Sequence, residues 1–414
     1  MMCHPVLRNG CCRQRGRQGC WSAAVCCCGW QPILMVIVLL LGSATAAATD
    51  VETGNDVTEG QIESSPAIES SGAETQEADS ARELAGRNVC QFDPDRGPEM
   101  VIIPPGRFVM GSATENELAD DNEKPEHEVD IRYTFALSRC EITVADFRAF
   151  VESVNFTTDV EKRDAETQTG CFGPDQDGNW NRVDGSHWNK PPFPEDFLQS
   201  EKHPAVCVSY NDALAYIDWL NETLRLPVDA CKRKDAKPDE AEPSQEGGVF
   251  QSVAECYAYR LSTEAEFEYA LNARIRQNYP WGDDSQCDHA NGADAKLRDD
   301  ASQSDLRYAE CNDGQAYTAA VGSFSPNRFG LYDLSGNTWE WTQDCWNGSY
   351  NGAPLDGSAW LDGDCDLRVL RGGGWSYKPD GLRSANRNGL NRDVGNINVG
   401  FRLARTLRPV SSDL

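Results

Sequence analysis

The chain has 414 residues, a formal net charge of −28 and 17 cysteines. So acidic a chain is repelled by nucleic-acid phosphates, which excludes nucleic acid as a partner. The cysteines point instead to an oxidising compartment, where an exported protein keeps disulfides.

Residues 1–48 stand apart from the rest. They hold Arg8, Arg13, Arg15 and Arg17, no acid, and seven of the cysteines. The apolar run "ILMVIVLLLG" (residues 33–42) and small residues at A-x-A spacing predict a signal peptide cleaved after Ala46 or Ala48. The alternative is an uncleaved anchor, because residues 30–48 are nearly long enough to span a bilayer. Either way the protein is expected to be exported, periplasmic or extracellular, and to meet a membrane only through that segment. Residues 49–87 are rich in Glu, Ser, Thr and Ala and have no aromatic residue. They cannot bury enough apolar surface to offset chain entropy, so a disordered acidic linker is expected.

One globular domain is expected over residues 88–408, with a short tail at 409–414. "MVIIPPGRFVMGS" (residues 100–112) predicts two short strands around a Pro-Pro-Gly turn, and "HEVDIRYTFALSRCEIT" predicts further strand. Three helices follow, opened by Thr143 with Asp146, Ser209 with Asp212 and Thr263 with Glu266. In each the hydroxyl caps a free backbone N–H while the acid reaches back. Val144, Phe147, Phe150, Val151 and Val154 form one face of the first, and "EAEFEYALNA" reads as an ordinary amphipathic helix. After Ala273 helical periodicity stops, and "RVLRGGGW" and "VGFRLAR" are the clearest strands. Residues 232–248 and 293–310 read as polar insertions. Long irregular segments inside a compact domain need metals or disulfides to hold them.

Ten cysteines follow the signal: Cys90, Cys140, Cys171, Cys207, Cys231, Cys256, Cys287, Cys311, Cys345 and Cys365. None forms a CxxC pair, so neither a zinc ribbon nor a thioredoxin-type motif is expected. Their connectivity is open. Pairing of neighbours is favoured, because 231–256, 287–311 and 345–365 each close a local loop containing Gly or Pro.

Several stretches together resemble the sulfatase-modifying-factor family, which includes the formylglycine-generating enzymes. They are "MVIIPPGRFVMGS", "YRLSTEAEFEYA", "YPWGDD", "FSPNRFGLYDLSGNTWEWTQDCW", "RVLRGGGW" and "NVGFRLART", in the family's order. The resemblance implies an α+β fold, an irregular, loop-rich variant of the C-type lectin with a twisted antiparallel sheet and a few helices. It also implies calcium. One site would use the Asn291 side chain, the Gly292 carbonyl, the Asp313 side chain and the Gln315 carbonyl. The other would use Asp333, the carbonyls of Gly336 and Thr338, and Glu340. Gly-flanked turns suit calcium, which takes six to eight hard oxygens; plain Asn/Gly turns with solvent-facing acids are the alternative.

In formylglycine-generating enzymes, two cysteines after the Gly-Gly-Ser turn bind copper(I) and activate oxygen. Here the turn is Gly372-Gly373-Gly374, the first cysteine falls at about Tyr377, and the second has no counterpart. A phenol does not replace a thiolate toward copper(I), so copper and formylglycine synthesis are not expected. The family's iron-dependent sulfoxide synthases have an added helical domain that this chain lacks. His127, His187, His203 and His289 also lack metal-ligand spacing. What the resemblance leaves is a groove that would take an exported protein, a peptide or a small molecule, lined by Trp375, Tyr377, Arg383, Asn386, Arg387, Asn388 and Arg402. The alternative is that these arginines are structural, bonded to loop carbonyls and acids. The leading reading is a calcium-stabilised binding protein. The rivals are a maturation enzyme that oxidises a peptide side chain, like family members needed for siderophore maturation, and a structural component of a surface complex.

Overall fold

Among the described residues, hydroxyl and acid pairs start three helices, as their spacing predicts. Helices α1 (Val144–Val154), α2 (Tyr210–Thr223) and α3 (Glu264–Asn272) are capped by Thr143, Ser209 and Thr263. Each cap side chain accepts the backbone N–H of the acid three residues on, and that acid accepts the cap's own N–H. These assignments come from a computed structural model that describes residues 90–162, 169–175, 178–228, 256–282, 284–301 and 308–408. All of these fall in one compact unit within Ser70–Leu414. The expected signal peptide, the acidic linker, Cys231, the 232–248 insertion and the C-terminal tail lie outside the described residues.

Helices α1 and α2 pack Phe147, Phe150, Tyr216 and Ile217 against Trp339, Trp341 and Phe401 in one core. Val154, expected on the buried face, is 52% exposed, because the helix ends there and Asn155 turns the chain at φ +51°. Helix α3 departs further from expectation. It is buried on all sides, with Glu264, Glu266 and Glu268 as inaccessible as Phe267 and Leu271. Arginines from distant segments neutralise its acids, so its charged positions do not mark a solvent face. A fourth helix, α4 (Ala295–Ala301), lies in the stretch read as a polar insertion.

Strands β1 (Phe92–Asp93) and β2 (Gly97–Pro98) form a small hairpin. Strands β3 (Met100–Ile103) and β4 (Gly106–Met110) flank the Pro-Pro-Gly turn, yet they do not pair with each other. Instead β4 pairs with β5 (His127–Ile131), and β3 pairs with β6 (Phe135–Ser138), which also pairs with β13 (Ala404–Thr406). Strands β7 (Cys171–Pro174) and β8 (Trp180–Val183) form a second hairpin. The main sheet has the order β11-β10-β9-β12, built from β9 (Trp339–Trp346), β10 (Asp364–Arg371), β11 (Arg387–Asn391) and β12 (Val399–Gly400). All its pairings are antiparallel except β9 with β12.

"VGFRLAR" is therefore not one strand. Phe401, Arg402 and Leu403 are all buried, and this unbroken burial carries the chain from the main sheet to the β3–β6–β13 sheet. Disulfides join Cys90 to Cys140, Cys171 to Cys207, Cys287 to Cys311 and Cys345 to Cys365. The two expected local pairs within the described residues thus form. Cys256 is disulfide-bonded too. Small, mostly antiparallel sheets, few helices and long stapled loops make this the irregular α+β fold that the motifs imply.

Candidate functional site

The two loops expected to hold calcium, residues 291–315 and 333–340, touch in the fold. Asn337, fully buried at φ +58°, joins them. Its N–H donates to the Asn291 carbonyl (2.8 Å) and its Nδ2 to the Glu141 carboxylate (3.0 Å). Its Oδ1 accepts from Asn291 Nδ2 (3.1 Å) and from the Ala319 N–H (2.8 Å), and its carbonyl accepts the Trp375 N–H (2.9 Å). Gly336 precedes it at φ +86°, where a Cβ would lie 2.4 Å from the Asn291 carbonyl oxygen. Only glycine fits there.

In the first loop, Asn291 Nδ2 also donates to the Tyr317 carbonyl at 2.8 Å, but its Oδ1 is buried and has no partner. Asp313 accepts the N–H groups of Gln315 (2.7 Å) and Gly292 (3.4 Å). Burial pushes its carboxyl up to about 7, and the neighbouring Asp294 adds repulsion. An orphaned amide oxygen and, in the same loop, a carboxylate that burial tends to protonate are groups that a hard cation would satisfy.

In the second loop, Asp333 sits at φ +55° and accepts the Gly322 N–H at 2.6 Å, and burial lifts its carboxyl to about 6. Glu340 is bound differently from expectation. Both its oxygens are taken by Arg402, through Nε and Nη2, at 2.7 Å each. The sequence reading missed Glu141, whose buried carboxylate accepts from Asn337 and from Thr338 Oγ1 (3.1 Å). Burial raises it well above the ordinary carboxylate range, and Asp333 and Glu340 push it further. Three carboxylates thus share one guanidinium, and a divalent cation would balance the excess. Among the described residues no group of three or more His, Cys, Asp or Glu side chains is arranged to hold a metal. A cation here would therefore rely on loop carbonyls, those of Gly336 and Thr338 among them.

Most of the expected groove residues are held by partners inside the protein. Arg402 spends all five N–H donors on Glu340 and on the carbonyls of Ser138, Arg139 and Tyr332, so it has none left for a ligand. Arg383 forks onto Glu123 at 2.6 and 2.7 Å, and Arg387 forks onto Glu264 at 2.7 Å. Arg387 also packs against the rings of Trp346 and Tyr350. Asn386 Nδ2 donates to the Gly381 carbonyl at 2.7 Å. These arginines are structural because burial obliges each to find a carboxylate. Trp375 turns to a separate aromatic cluster with Tyr317, Phe193 and Trp180. Asn386 N–H donates to the Arg383 carbonyl at 3.0 Å, and Tyr377 lies against Asn388 and Trp339; burial raises the Tyr377 phenol above its ordinary value, and these two neighbours oppose the rise.

The Tyr377 ring meets Trp339 edge-on with centroids 5.0 Å apart, and Gly381 packs directly on it. No thiol stands in reserve among the described residues, because all nine of their cysteines are in disulfides. Cys345 and Cys365, which might have folded in beside Tyr377, hold each other instead.

Two clefts open nearby. One of about 290 Å³ is lined by Leu271, Trp281, His289, Arg328 and Asp333. The other, of about 240 Å³, lies between the 111–116 loop and residues 383–385, with Glu268, Arg276 and Asn278 in its wall. Ser384 Oγ is buried beside this second cleft without a partner, and Asn116 and Asn278 hydrogen-bond at 3.1 Å on its rim. Arg371 reaches the wall from behind to pair with Glu268.

Residues 87–407 match the family described as "Sulfatase-modifying factor enzyme 1-like domain". A formylglycine-generating enzyme of Streptomyces coelicolor is 30% identical over 329 residues, covering 73% of this chain and 88% of that protein. The bovine (Bos taurus) "Inactive C-alpha-formylglycine-generating enzyme 2" is 29% identical over 324 residues, covering 74% of this chain and 87% of that protein. The solved structure of PvdO from Pseudomonas aeruginosa superposes with a TM-score of 0.56 at 30% identity, over 76% of this chain and 97% of that one. The glycine turns, the buried Asn337 and the family match all lead to one conclusion: the chain belongs to the sulfatase-modifying-factor family, the family of the formylglycine-generating enzymes.

Proposed function

We propose that this is an exported, calcium-stabilised family member that binds a peptide or a small polar ligand and makes no formylglycine. One observation carries the reading: Tyr377 stands where the family's first cysteine would be, packed against Trp339, while every described cysteine is in a disulfide. Soft thiolates hold copper(I), whereas a phenol and amides do not. A relative named an inactive enzyme gives precedent for this fold without the activity.

Calcium would occupy the linked loops around Asn337, held by Asn291, Asp313, Asp333 and Glu141 with loop carbonyls, and its role would be to fix those loops. Glu340 would act through Arg402. The ligand would enter the 240 Å³ cleft beside Arg383, Ser384 and Ala385, where the rim amides of Asn116 and Asn278 supply hydrogen bonds.

Peptides selected from a displayed library on the exported chain test the cleft. Binding is expected to fall at least tenfold in Ala385→Trp, which fills the cleft, and to persist in Leu355→Trp, at an exposed position elsewhere. Equal binding to both variants would contradict the assignment.

A further inference from the structure

Strands β9 and β10 meet in an irregular register: Asp364 pairs with Trp346, and Arg368 already pairs with Cys345. Four residues of β10 thus advance against one of β9, a bulge that brings two β10 side chains onto one sulfur. Cys365 is bonded to Cys345 Sγ, and Arg368 Nη1 donates to that same sulfur at 3.3 Å.

Arg368 is unlike the other buried arginines. Arg260, Arg371, Arg383, Arg387 and Arg402 each bind a glutamate. Arg368 is fully buried, yet its contacts are the Gln343 carbonyl (2.9 Å), the Tyr210 ring (4.8 Å) and Cys345 Sγ; its Nε and Nη2 have no partner. An unneutralised buried cation is costly, and the group beside it that can become an anion is Cys345. Cys365 Sγ itself lies 3.3 Å from the Leu361 carbonyl, so the guanidinium on Cys345 is what distinguishes this bridge from the others whose contacts are described. Cys287 Sγ faces the Asp294 carboxylate at 3.6 Å, and Cys171 Sγ faces the Phe172 carbonyl at 3.7 Å. The two sulfurs of the Arg368 bridge also differ in access. Cys345 is buried, whereas Cys365 is partly exposed on β10 between the exposed Asp364 and Asp366.

We infer that Cys345–Cys365 is a redox-active disulfide, opened by a thiol that attacks Cys365 and releases Cys345 as a thiolate held by Arg368. The incoming thiolate sulfur forms a bond to Cys365 Sγ. The Cys345–Cys365 bond breaks, and its electron pair leaves on Cys345 Sγ. A second thiol then attacks the mixed disulfide and yields the protein dithiol and the oxidised small disulfide. In all, two thiols give up two electrons. A thiolate stabilised by a neighbouring guanidinium is the better leaving group, which fixes the direction of attack. The acids flanking Cys365 select cationic thiols over anionic ones. Opening the bridge releases a loop whose Asn347 carbonyl binds Arg387 (2.8 Å) and whose Trp360 N–H binds Asp344 (2.7 Å).

The full exported chain is treated briefly with cysteamine, a cationic thiol, or with 2-mercaptoethanesulfonate, an anionic one. It is then quenched with acid, alkylated and mapped by peptide mass. Cys345–Cys365 should open first among the bridges, with the cysteamine adduct on Cys365, and cysteamine should react at least tenfold faster at low salt. Arg368→Gln should slow opening about tenfold, and Arg368→Lys should slow it less. An adduct on Cys345, prior opening of another bridge, or equal rates for the two thiols would overturn the inference. The wild-type mapping decides the matter even if Arg368→Gln does not fold.

Discussion

Arg402 grips Glu340 through two hydrogen bonds of 2.7 Å, with both side chains buried and 62 positions apart in sequence. This pair makes Glu340 a structural anchor, and it separates two effects that Glu340→Gln would otherwise confuse. Glu340→Gln breaks the hydrogen-bonded half of this buried ion pair and should cost about 3–5 kcal/mol. The loss should be the same with chelator as with calcium in denaturant unfolding. A loss seen only with calcium would mean that Glu340 binds the ion directly.

Glu141 should behave in the opposite way. Its buried carboxylate has no cation of its own, so Glu141→Gln removes an uncompensated charge and should leave the chelated protein as stable or more stable. The same change should reduce the gain from calcium, and Asp313→Asn should do likewise at the first loop. For the wild type, the gain is about 2.7 kcal/mol at one hundred times Kd, and titration must reach millimolar calcium. Magnesium should give less, because its small octahedral shell fits carbonyl-rich loops poorly. An unfolding temperature unchanged between chelator and calcium would reduce both loops to plain turns.

Stability should fall as pH rises from about 4 to 7. Burial pushes Asp212, Asp344 and Glu268 each up to about 7 in the folded protein. The folded state therefore keeps these protons where the unfolded chain has already lost them, so the unfolded chain binds fewer protons across that window. The contribution is present below the unfolded values and lost as pH passes the folded ones. Asp344→Asn should flatten the slope. Denaturant unfolding across this range checks the sign, and stability that rises toward pH 7 would contradict it.

Loss of the 345–365 bridge should cost about 3 kcal/mol, the value for a closed loop of about 20 residues in the unfolded chain. The double variant Cys345→Ala with Cys365→Ala, compared by denaturant unfolding, measures it. A free thiol at either position in the unreduced wild type would count against the pairing.

The helix starts were legible because a capping box is local: cap and acid lie three residues apart, as at Thr143 and Asp146. The glycine turn at Gly336 and the short disulfide loops were legible for the same reason. The buried ion pairs were not. Glu123 and Arg383 lie 260 residues apart, and nothing near either residue names its partner. A glutamate on α3 looks solvent-facing until Arg371 and Arg387 arrive from other segments and Arg260 folds back from just before the helix. Glu141 was hidden in a strand-like run, and Asn337 looked like an ordinary turn residue. The internal bonding of the expected groove residues follows from the same arginines, since each must reach its carboxylate before any ligand.

The claim that this chain binds but does not oxidise a cysteine is tested most directly by peptide mass. The full exported chain is incubated with a cysteine-containing sulfatase peptide, oxygen, a reductant and copper(I), beside an active formylglycine-generating enzyme. The peptide should keep its mass, and Tyr377→Cys should not restore conversion, because one thiolate does not replace a pair. The mass loss of thiol-to-aldehyde conversion by the wild-type chain, abolished by substituting one of its cysteines, would contradict the account.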